Sequence, residues 1–532
     1  MVHQNHTLGV PVALHLSLAM TLLKPVASPL GAPMEHASLV PSPAAGGTGL
    51  DGAAREVMPL ISAPALTRQS AHTLAEQLAE RFAGRIRDRL LAPGARLPSV
   101  RQCAAQQGLS PSTVVAAYDL LLAQGLVVAE RNRGFFVRQR AAVPPVASKP
   151  LVGGLRAGPP VNAGALIRGM FQPPGERPQP GMGAFPPEWM ANGFLQASVR
   201  RVSTGKSLDD GTLRYGEPLG DGHLRRVLSV RLQGLGLPVE AGQIITTMGA
   251  TQALDIVSRT LLKPGDAVMV EEPGWAIEFA RLNAQGMRIL PVPRGPLGPD
   301  LAVMARYCEA HAPKLFVSVS VLHNPTGHCL SPASAHRILQ LAQVHDFHIV
   351  EDDTYSHIAP EHATRMSVLD GLQRTIYVSG FSKILAPNWR VGYMAVPDAW
   401  VERLLDTKLL TTLTTPSLLE RALALCIEQG QLRRHADRIR LRLDAARSRS
   451  VKLAQDAGCR FVAEPAGLFG WVDTGVDTEV LAQRLLDEGY LIAPGALFHA
   501  ARGPSTLMRI NFATTQEPAF WRVFSRLLLA AR

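Results

Sequence analysis

Tyr377-Val378-Ser379-Gly380-Phe381-Ser382-Lys383-Ile384-Leu385-Ala386-Pro387-Asn388-Trp389-Arg390-Val391-Gly392-Tyr393 is the stretch on which the reading of this chain turns. Its apolar flanks predict a short strand, a polar turn carrying one lysine, and a second strand opening at Arg390. A lysine fixed on a turn between buried strands becomes a nucleophile when its pKa falls, and its amine then condenses with an aldehyde to a Schiff base. Pyridoxal phosphate is the common aldehyde of this kind, and its phosphate needs hydroxyls, backbone N–H groups and an arginine. Ser379, Ser382 and Arg390 offer such groups close to Lys383. A lone lysine in a turn is most often a solvated surface residue, so the neighbouring segments have to decide.

Outward from this stretch, short apolar runs alternate with helical patterns from residue 185 to the end. Candidate strands are 244–247, 267–271, 288–292, 315–320, 348–351, 376–379 and 391–396. Seven strands with intervening helices predict a largely parallel α/β sheet, the layout in which ligand sites gather at strand ends. Polar motifs stand at those ends. Gly249-Ala250-Thr251-Gln252 opens a helix, and a helix N-terminus with a small residue and a hydroxyl suits a phosphate. Glu272-Pro273-Gly274-Trp275, His323-Asn324-Pro325-Thr326-Gly327 and Glu351-Asp352-Asp353-Thr354-Tyr355 each follow a strand. Taken singly, these read as an N-cap, a core tryptophan, a turn and a pair of solvated acids. Beyond residue 416 the pattern turns helical; 433–453 is a long basic amphipathic helix, and a smaller α+β section follows from Gly458.

The order and spacing of these motifs resemble the fold-type I aminotransferases. The resemblance implies that Lys383 forms the Schiff base with pyridoxal phosphate and that Ala250, Thr251, Ser379, Ser382 and Arg390 form the phosphate cup. It implies that Trp275 stacks on the cofactor ring and that Asp352 pairs with the pyridine nitrogen, keeping the ring an electron sink. Asn324 and Tyr355 would reach the phenolic oxygen. Tyr215, in Leu213-Arg214-Tyr215-Gly216, would cross a dimer interface to the neighbouring cofactor. Arg509, in Met508-Arg509-Ile510-Asn511-Phe512, would grip a substrate or effector carboxylate. The pattern departs at one point. Related regulators carry G-[ST]-F-S-K, whereas here Ser379 and Gly380 stand in reversed order.

Residues 71–140 predict a separate unit. Leu74, Leu78, Phe82, Ile86 and Leu90 form a helical stripe stopped by Pro93-Gly94. A second helix begins near Ser99 and Arg101. A third follows Gly108-Leu109, with Ser110 as N-cap and Pro111 at its first position. Residues 125–130 and 134–137 read as a hairpin with Arg131-Asn132-Arg133 at its tip. Helix, turn, helix and basic hairpin make a winged helix-turn-helix. Its third helix would place Ser112, Thr113 and Tyr118 near bases or phosphates, and Arg101, Arg131 and Arg133 would meet the DNA backbone. The L-P-S-x-R, S-x-x-T-V and G-F-F-V segments resemble the GntR family of bacterial regulators.

The chain of 532 residues carries a formal charge of +11, and the 71–140 block alone holds ten arginines against five acids. Such local basicity points to a polyanion partner. The five scattered cysteines, none paired at metal-ligand spacing, fit a reducing cytoplasm and no metal site. Residues 1–70 are rich in Pro, Ala and Gly and read as a disordered extension or an over-long gene start; the apolar run 8–23 is interrupted by Pro11 and preceded by no Lys or Arg, so it fits neither a leader nor a membrane span. Eleven prolines between 141 and 187 predict an extended tether, with the linker proper at 141–177 and an effector domain over 178–532. A GntR-like reader joined by a linker to an aminotransferase-like domain resembles the MocR subfamily. That resemblance implies a homodimeric, pyridoxal-phosphate-dependent transcription factor responding to the cofactor or an amino compound. The rival is a working aminotransferase with an accessory reader.

Overall fold

The computed structural model describes residues 72–87, 91, 93–130, 133–138, 179–191, 193–204, 213–360, 362–501 and 503–531. The expectations for the 1–70 extension, the 141–177 linker and Arg131 fall outside these residues.

The first unit is built as its sequence pattern requires. Helix α1 (Leu74–Arg87) buries Leu78, Ala79, Phe82 and Ala83 on one face. Helix α2 (Val100–Gln107) starts with a capping box, in which Ser99 accepts from the Gln102 amide and Gln102 reaches back to Ser99. It ends at Gly108, whose φ of 64° is the left-handed conformation that stops a helix. Helix α3 (Pro111–Ala123) is capped by the Ser110 hydroxyl. Strands β1 (Val127–Glu130) and β2 (Gly134–Val137) pair antiparallel, Val127 opposite Val137. Leu78, Phe82, Leu97, Val114, Tyr118, Leu121 and Val127 close one core.

The larger part begins with α4 (Gly193–Val202) and α5 (Gly222–Gly234) and continues as β3 (Ile244–Thr247), α6 (Ala250–Leu261), β4 (Ala267–Glu272), α7 (Ala276–Ala284), β5 (Arg288–Gly295), β6 (Gly298–Pro299), α8 (Leu301–His311), β7 (Leu315–Ser318), α9 (Pro332–His345), β8 (His348–Asp352), α10 (Met366–Asp370), β9 (Thr375–Gly380) and β10 (Gly392–Ala395). One sheet takes the order β3-β10-β9-β8-β7-β4-β5-β6. The pairings β9–β8–β7–β4–β5 are parallel, while β10 runs antiparallel to both β3 and β9. All seven expected strands are present; β6 adds only a two-residue hairpin edge to β5.

Alternation along the strands distributes the core to both sheet faces. Val268, Val270, Val317, Val350, Ile376 and Val378 pack with α6 on one side. Met269, Phe316 and Ile349 pack with α8 and α9 on the other. Strands β3, β7 and β9 are buried throughout, the signature of a sheet covered by helices on both faces. Helices α11 (Val401–Thr412), α12 (Ser417–Glu428) and α13 (Gln431–Asp456) then lead to a four-stranded antiparallel sheet. Its strands are β11 (Arg460–Phe461), β12 (Phe469–Asp473), β13 (Ala493–Pro494) and β14 (Leu507–Asn511), ordered β11-β12-β14-β13. Helices α14 (Thr478–Asp487) and α15 (Pro518–Leu529) flank it. Among the described residues, no helix is long and apolar enough to cross a membrane.

Candidate functional site

Lys383 lies in the turn that leaves β9, at the carboxyl end of the parallel strands. It is half-buried, and its Nζ donates to the Gly183 carbonyl at 2.6 Å. Burial, with Arg509 nearby, lowers its pKa to about 8; Asp352 acts in the opposite sense. Arg509, on β14, reaches the same space. Its Nη1 donates to Asn324 Oδ1 at 2.9 Å and its Nη2 to the Gly181 carbonyl at 2.6 Å. The guanidinium stacks 4.4 Å from the Phe469 ring centre and 5.2 Å from that of Phe498. Among the described residues its buried Nε has no partner. Burial lowers its pKa to about 10.

Asp352 ends β8, where the carboxyl edge of the sheet delivers it to the site. Thr354 donates both its amide and its hydroxyl to Oδ1. Burial dominates even so and raises the carboxyl pKa to about 6. Asp352 and Trp275 line one small cavity with His323, Leu254, Val270, Val317 and Val319. Tyr355 is buried with its ring edge-on to Phe469; burial pushes its phenol upward in pKa, with Arg509 and Asn324 acting in the opposite sense. His323, behind Asn324, is held by Thr326 at Nδ1 and stands 3.5 Å from Glu271. Glu271 itself pairs with Arg294 and accepts from Ser318 and the Val319 amide.

A second cluster forms where β3, β9 and β10 meet the start of α6. Arg390 donates to Ser382 Oγ at 3.3 Å and to the Met248 carbonyl at 2.9 Å. Gly249 has φ 85° and no side-chain cap follows it, so the first amides of α6, at Ala250 and Thr251, point outward unpaired by a cap. A Cβ on Gly249 would lie 2.5 Å from Arg390 Nη2, and one on Gly380 would lie 3.5 Å from the Ala250 nitrogen. Glycine at 249 is what lets Arg390 close on the helix start; at Gly380 a Cβ would make only ordinary contact beside the pocket between Arg390, Ser382 and the helix start.

Ser379 is not in that pocket. It is fully buried, and its hydroxyl donates to the Asp353 carbonyl at 2.9 Å beneath the sheet edge. The reversed Ser-Gly order places glycine, not a hydroxyl, beside Ala250. Tyr215 is 83% exposed and touches none of the groups above within its own chain. In the first unit, Tyr118 is fully buried and donates to the Pro98 carbonyl at 2.9 Å, so it belongs to the core and not to a DNA face. Arg101 and Ser112 are exposed on the outer side of α2 and α3, and Thr113 is half-buried, its hydroxyl bonded to Ser110 at 2.7 Å. Ser99 and Ser110 are engaged as caps. Arg133 is exposed, ion-paired with Glu130 at 2.6 Å and stacked on Phe136.

Sequence reasoning missed the segment 179–185, which straps across Lys383 and Arg509. Besides the Gly181 and Gly183 carbonyl bonds, Asn511 Nδ2 donates to the Met182 and Ala184 carbonyls. A Cβ on Gly181 would come 2.5 Å from the Ile492 carbonyl carbon. The glycine pair in Gly181-Met182-Gly183 was the available signal, hidden inside a proline-rich stretch.

Residues 193–527 match the aminotransferase class I and II family, and residues 74–137 match the gntR family of bacterial regulatory proteins. The uncharacterized HTH-type transcriptional regulator YisV of Bacillus subtilis is 26% identical over 434 residues, spanning 80% of this chain and 89% of that one. YjiR of Escherichia coli, named in the same way, is 28% identical and spans 82% and 94%. Among solved structures, the α-aminoadipate aminotransferase LysN of Thermus thermophilus superposes with a TM-score of 0.63 at 23% identity, covering 69% of this chain and 95% of LysN. The multiple substrate aminotransferase of Thermococcus profundus gives 0.61 at 25%, covering 67% and 92%. The longer of the two matches spans more than half of the chain: it belongs to the aminotransferase class I and II family and carries a gntR-type helix-turn-helix unit ahead of that domain, the MocR architecture.

Proposed function

We propose that this protein is a pyridoxal-phosphate-dependent DNA-binding transcriptional regulator whose aminotransferase domain senses the cofactor or an amino compound at Lys383. The observation that carries this is a half-buried, pKa-lowered lysine, hydrogen-bonded to the Gly183 carbonyl and influenced by Asp352 and Arg509, in a chain that also holds a complete, capped helix-turn-helix. The residues fit the cofactor. Arg390, Ser382 and the uncapped start of α6 at Ala250 and Thr251 suit its phosphate. Asp352 suits a protonated pyridine nitrogen, Trp275 a ring face, and Asn324 with Tyr355 a phenolic oxygen. When bound, pyridoxal phosphate supplies a carbonyl for amines and an electron sink. Lys383 would hold that carbonyl, because at a pKa of about 8 its neutral, nucleophilic form is accessible near neutrality. Arg509 takes the ligand's carboxylate, exchanging the Gly181 carbonyl for a charged partner. The strap and the aromatic faces of Phe469 and Phe498 exclude water from this exchange.

Homodimerisation would bring the exposed Tyr215 to a partner's phosphate cup, and two readers would meet paired operator half-sites. Exposed Arg101 and Ser112, with half-buried Thr113, are the residues we assign to DNA. Ser99 and Ser110 contribute through their caps, and Arg133 through the wing.

A second reading, a working aminotransferase with an accessory reader, is favoured by one observation: Lys383, Asp352 and Arg509 together are the groups that transamination requires. One experiment separates the two. DNA from the protein's own upstream region is titrated with and without pyridoxal phosphate and amino acids, while absorbance at about 420 nm reports the lysine-bound cofactor. Specific binding that shifts with cofactor or amine, without keto-acid product, supports the regulator. Rapid keto-acid formation with only non-specific binding supports the enzyme.

A further inference from the structure

The eleven excess positive charges of this chain are concentrated in two places. The 71–140 block carries a net +5. Helix α13 carries eight cations (Arg433, Arg434, Arg438, Arg440, Arg442, Arg447, Arg449, Lys452) against three acids, also a net +5. All other segments together therefore contribute only one charge of the +11.

The two faces of α13 have different fates. Leu432, Ala436, Ile439, Leu443, Ala446, Ser450 and Ala454 are buried, and Ser450 is hydrogen-bonded to Thr515 in the core. On the other face Arg434, Arg438, Arg442, Arg449 and Lys452 are exposed. At about 100° per residue they fall within an arc of about 80°, and at about 1.5 Å rise they span about 27 Å. Of the acids, Asp437 is ion-paired with Arg440 and Asp444 with Arg447, both away from the stripe. Asp456 alone shares the face, at its far end. Among the described residues, none of the five cations is ion-paired with a carboxylate. Arg434 and Arg438 touch only the Gln429 carbonyl and the His435 ring. Helix stabilisation does not account for the row, because the macrodipole rewards cations only in the last turn.

We propose that the exposed face of α13 is a second DNA-backbone contact, gripping duplex flanking the bases that the helix-turn-helix unit reads. A rigid row of about 27 Å matches about eight base pairs of duplex at about 3.4 Å each. Four of its five members are arginines, whose planar fork binds phosphate oxygens bidentately. An anionic membrane is the poorer fit: a surface-lying helix needs an apolar face to bury, and that face of α13 is already in the protein core. Tethering to a reader in the same chain makes the second contact intramolecular, so weak phosphate contacts suffice.

This surface rests on the DNA-binding reading above, and the test separates the two. The full-length protein is titrated onto a fluorescein-labelled mixed-sequence duplex several helical turns long, between about 50 and 200 mM KCl. The variants are R438Q/R442Q/R449Q, R442Q alone, R438K/R442K/R449K and Arg101→Ala. Each lost phosphate contact lowers the slope of log K against log salt by about 0.9. The triple glutamine variant should therefore lose two to three in slope and at least about tenfold in affinity at low salt, with an unchanged thermal transition. The triple lysine variant should keep the slope. R442Q alone should lose about 0.9, and it carries the test if the triple variant does not fold. A wild-type slope in the glutamine variants overturns the proposal, and so does loss of binding to phosphatidylglycerol vesicles with DNA binding intact. If Arg101→Ala leaves DNA binding unchanged while the α13 variants weaken it, the reader assignment falls and this surface stands. A wild-type protein that does not bind duplex at all overturns both.

Discussion

Lys383 and Asp352 are displaced from their ordinary pKa values in opposite directions by the same cause, burial. For Lys383 the folded pKa of about 8 lies below the ordinary 10.5, so the folded state holds fewer protons and stability rises with pH across that window. The neutral amine is also the nucleophile. Capture of pyridoxal phosphate by apoprotein should therefore accelerate with pH about a midpoint near 8, followed by stopped-flow absorbance; a midpoint near 10 would mean a solvated lysine. Lys383→Ala should leave no covalently retained cofactor after borohydride treatment. For Asp352 the sign reverses. Its folded pKa of about 6 exceeds 3.8, so ionising it costs the apoprotein about 3 kcal/mol, absent below pH 4 and fully present above pH 6. Asp352→Asn should raise apoprotein stability at pH 7, flatten its dependence between those limits, and weaken cofactor binding, as read by denaturant unfolding and cofactor titration. These residues were legible because polar groups at strand ends stand out from apolar runs. Ser379 and Tyr118 were misread because a sequence names a hydroxyl without saying where it points. Ser379→Ala and Tyr118→Phe should each cost about 1 kcal/mol of stability, the first sparing the phosphate pocket and the second sparing DNA binding.

At the scale of elements, periodicity carried most of the fold. Seven of the eight strands of the large sheet were visible as apolar runs, most clearly β3, β7 and β9, because strands buried on both faces leave no polar alternation to confuse them. The caps of α2 and α3 were visible because serine, proline and glycine at helix ends have a local cause. The strap 179–185 was invisible, since it forms no regular element and its hydrogen bonds run to residues more than 180 positions away. Its Gly181 carbonyl occupies the guanidinium face of Arg509 that a ligand carboxylate would use. Gly181→Ala would force the strap off Ile492, because the new Cβ would sit 2.5 Å from backbone. The variant should therefore bind carboxylate-bearing amines more tightly than wild type, at some cost in stability, in a titration following the cofactor's visible band. Unchanged affinity would mean that the strap does not compete for Arg509. Ser99→Ala, by contrast, should cost about 1 kcal/mol through the α2 cap and leave the cofactor band untouched.

Across the whole molecule, the strap is the first described segment after the helix-turn-helix unit, and it lies directly over Lys383 and Arg509. A carboxylate that takes Arg509 would remove the strap's bond at Gly181, while an amine that takes the carbonyl held by Lys383 would leave Nζ free, the state in which it donates to Gly183. A ligand shifts a two-state equilibrium only by its differential affinity for the two states. That exchanged hydrogen bond, made by a charged guanidinium, supplies about 1–3 kcal/mol, the range of ordinary allosteric coupling. Operator affinity of the holoprotein should therefore change about 5- to 150-fold when a carboxylate amine binds, and an amine lacking the carboxylate should produce a smaller change. Gly181→Ala, with the strap already displaced, should show operator affinity near the ligand-bound value and little further response. The comparison is made by fluorescence anisotropy on upstream DNA, with amine affinity measured in parallel with and without that DNA. Linkage requires the DNA to alter amine affinity by the same factor. Full ligand response in Gly181→Ala would place the coupling elsewhere than the strap, and a response of DNA to amine without the reciprocal response would mean that the two sites are not in equilibrium with one another.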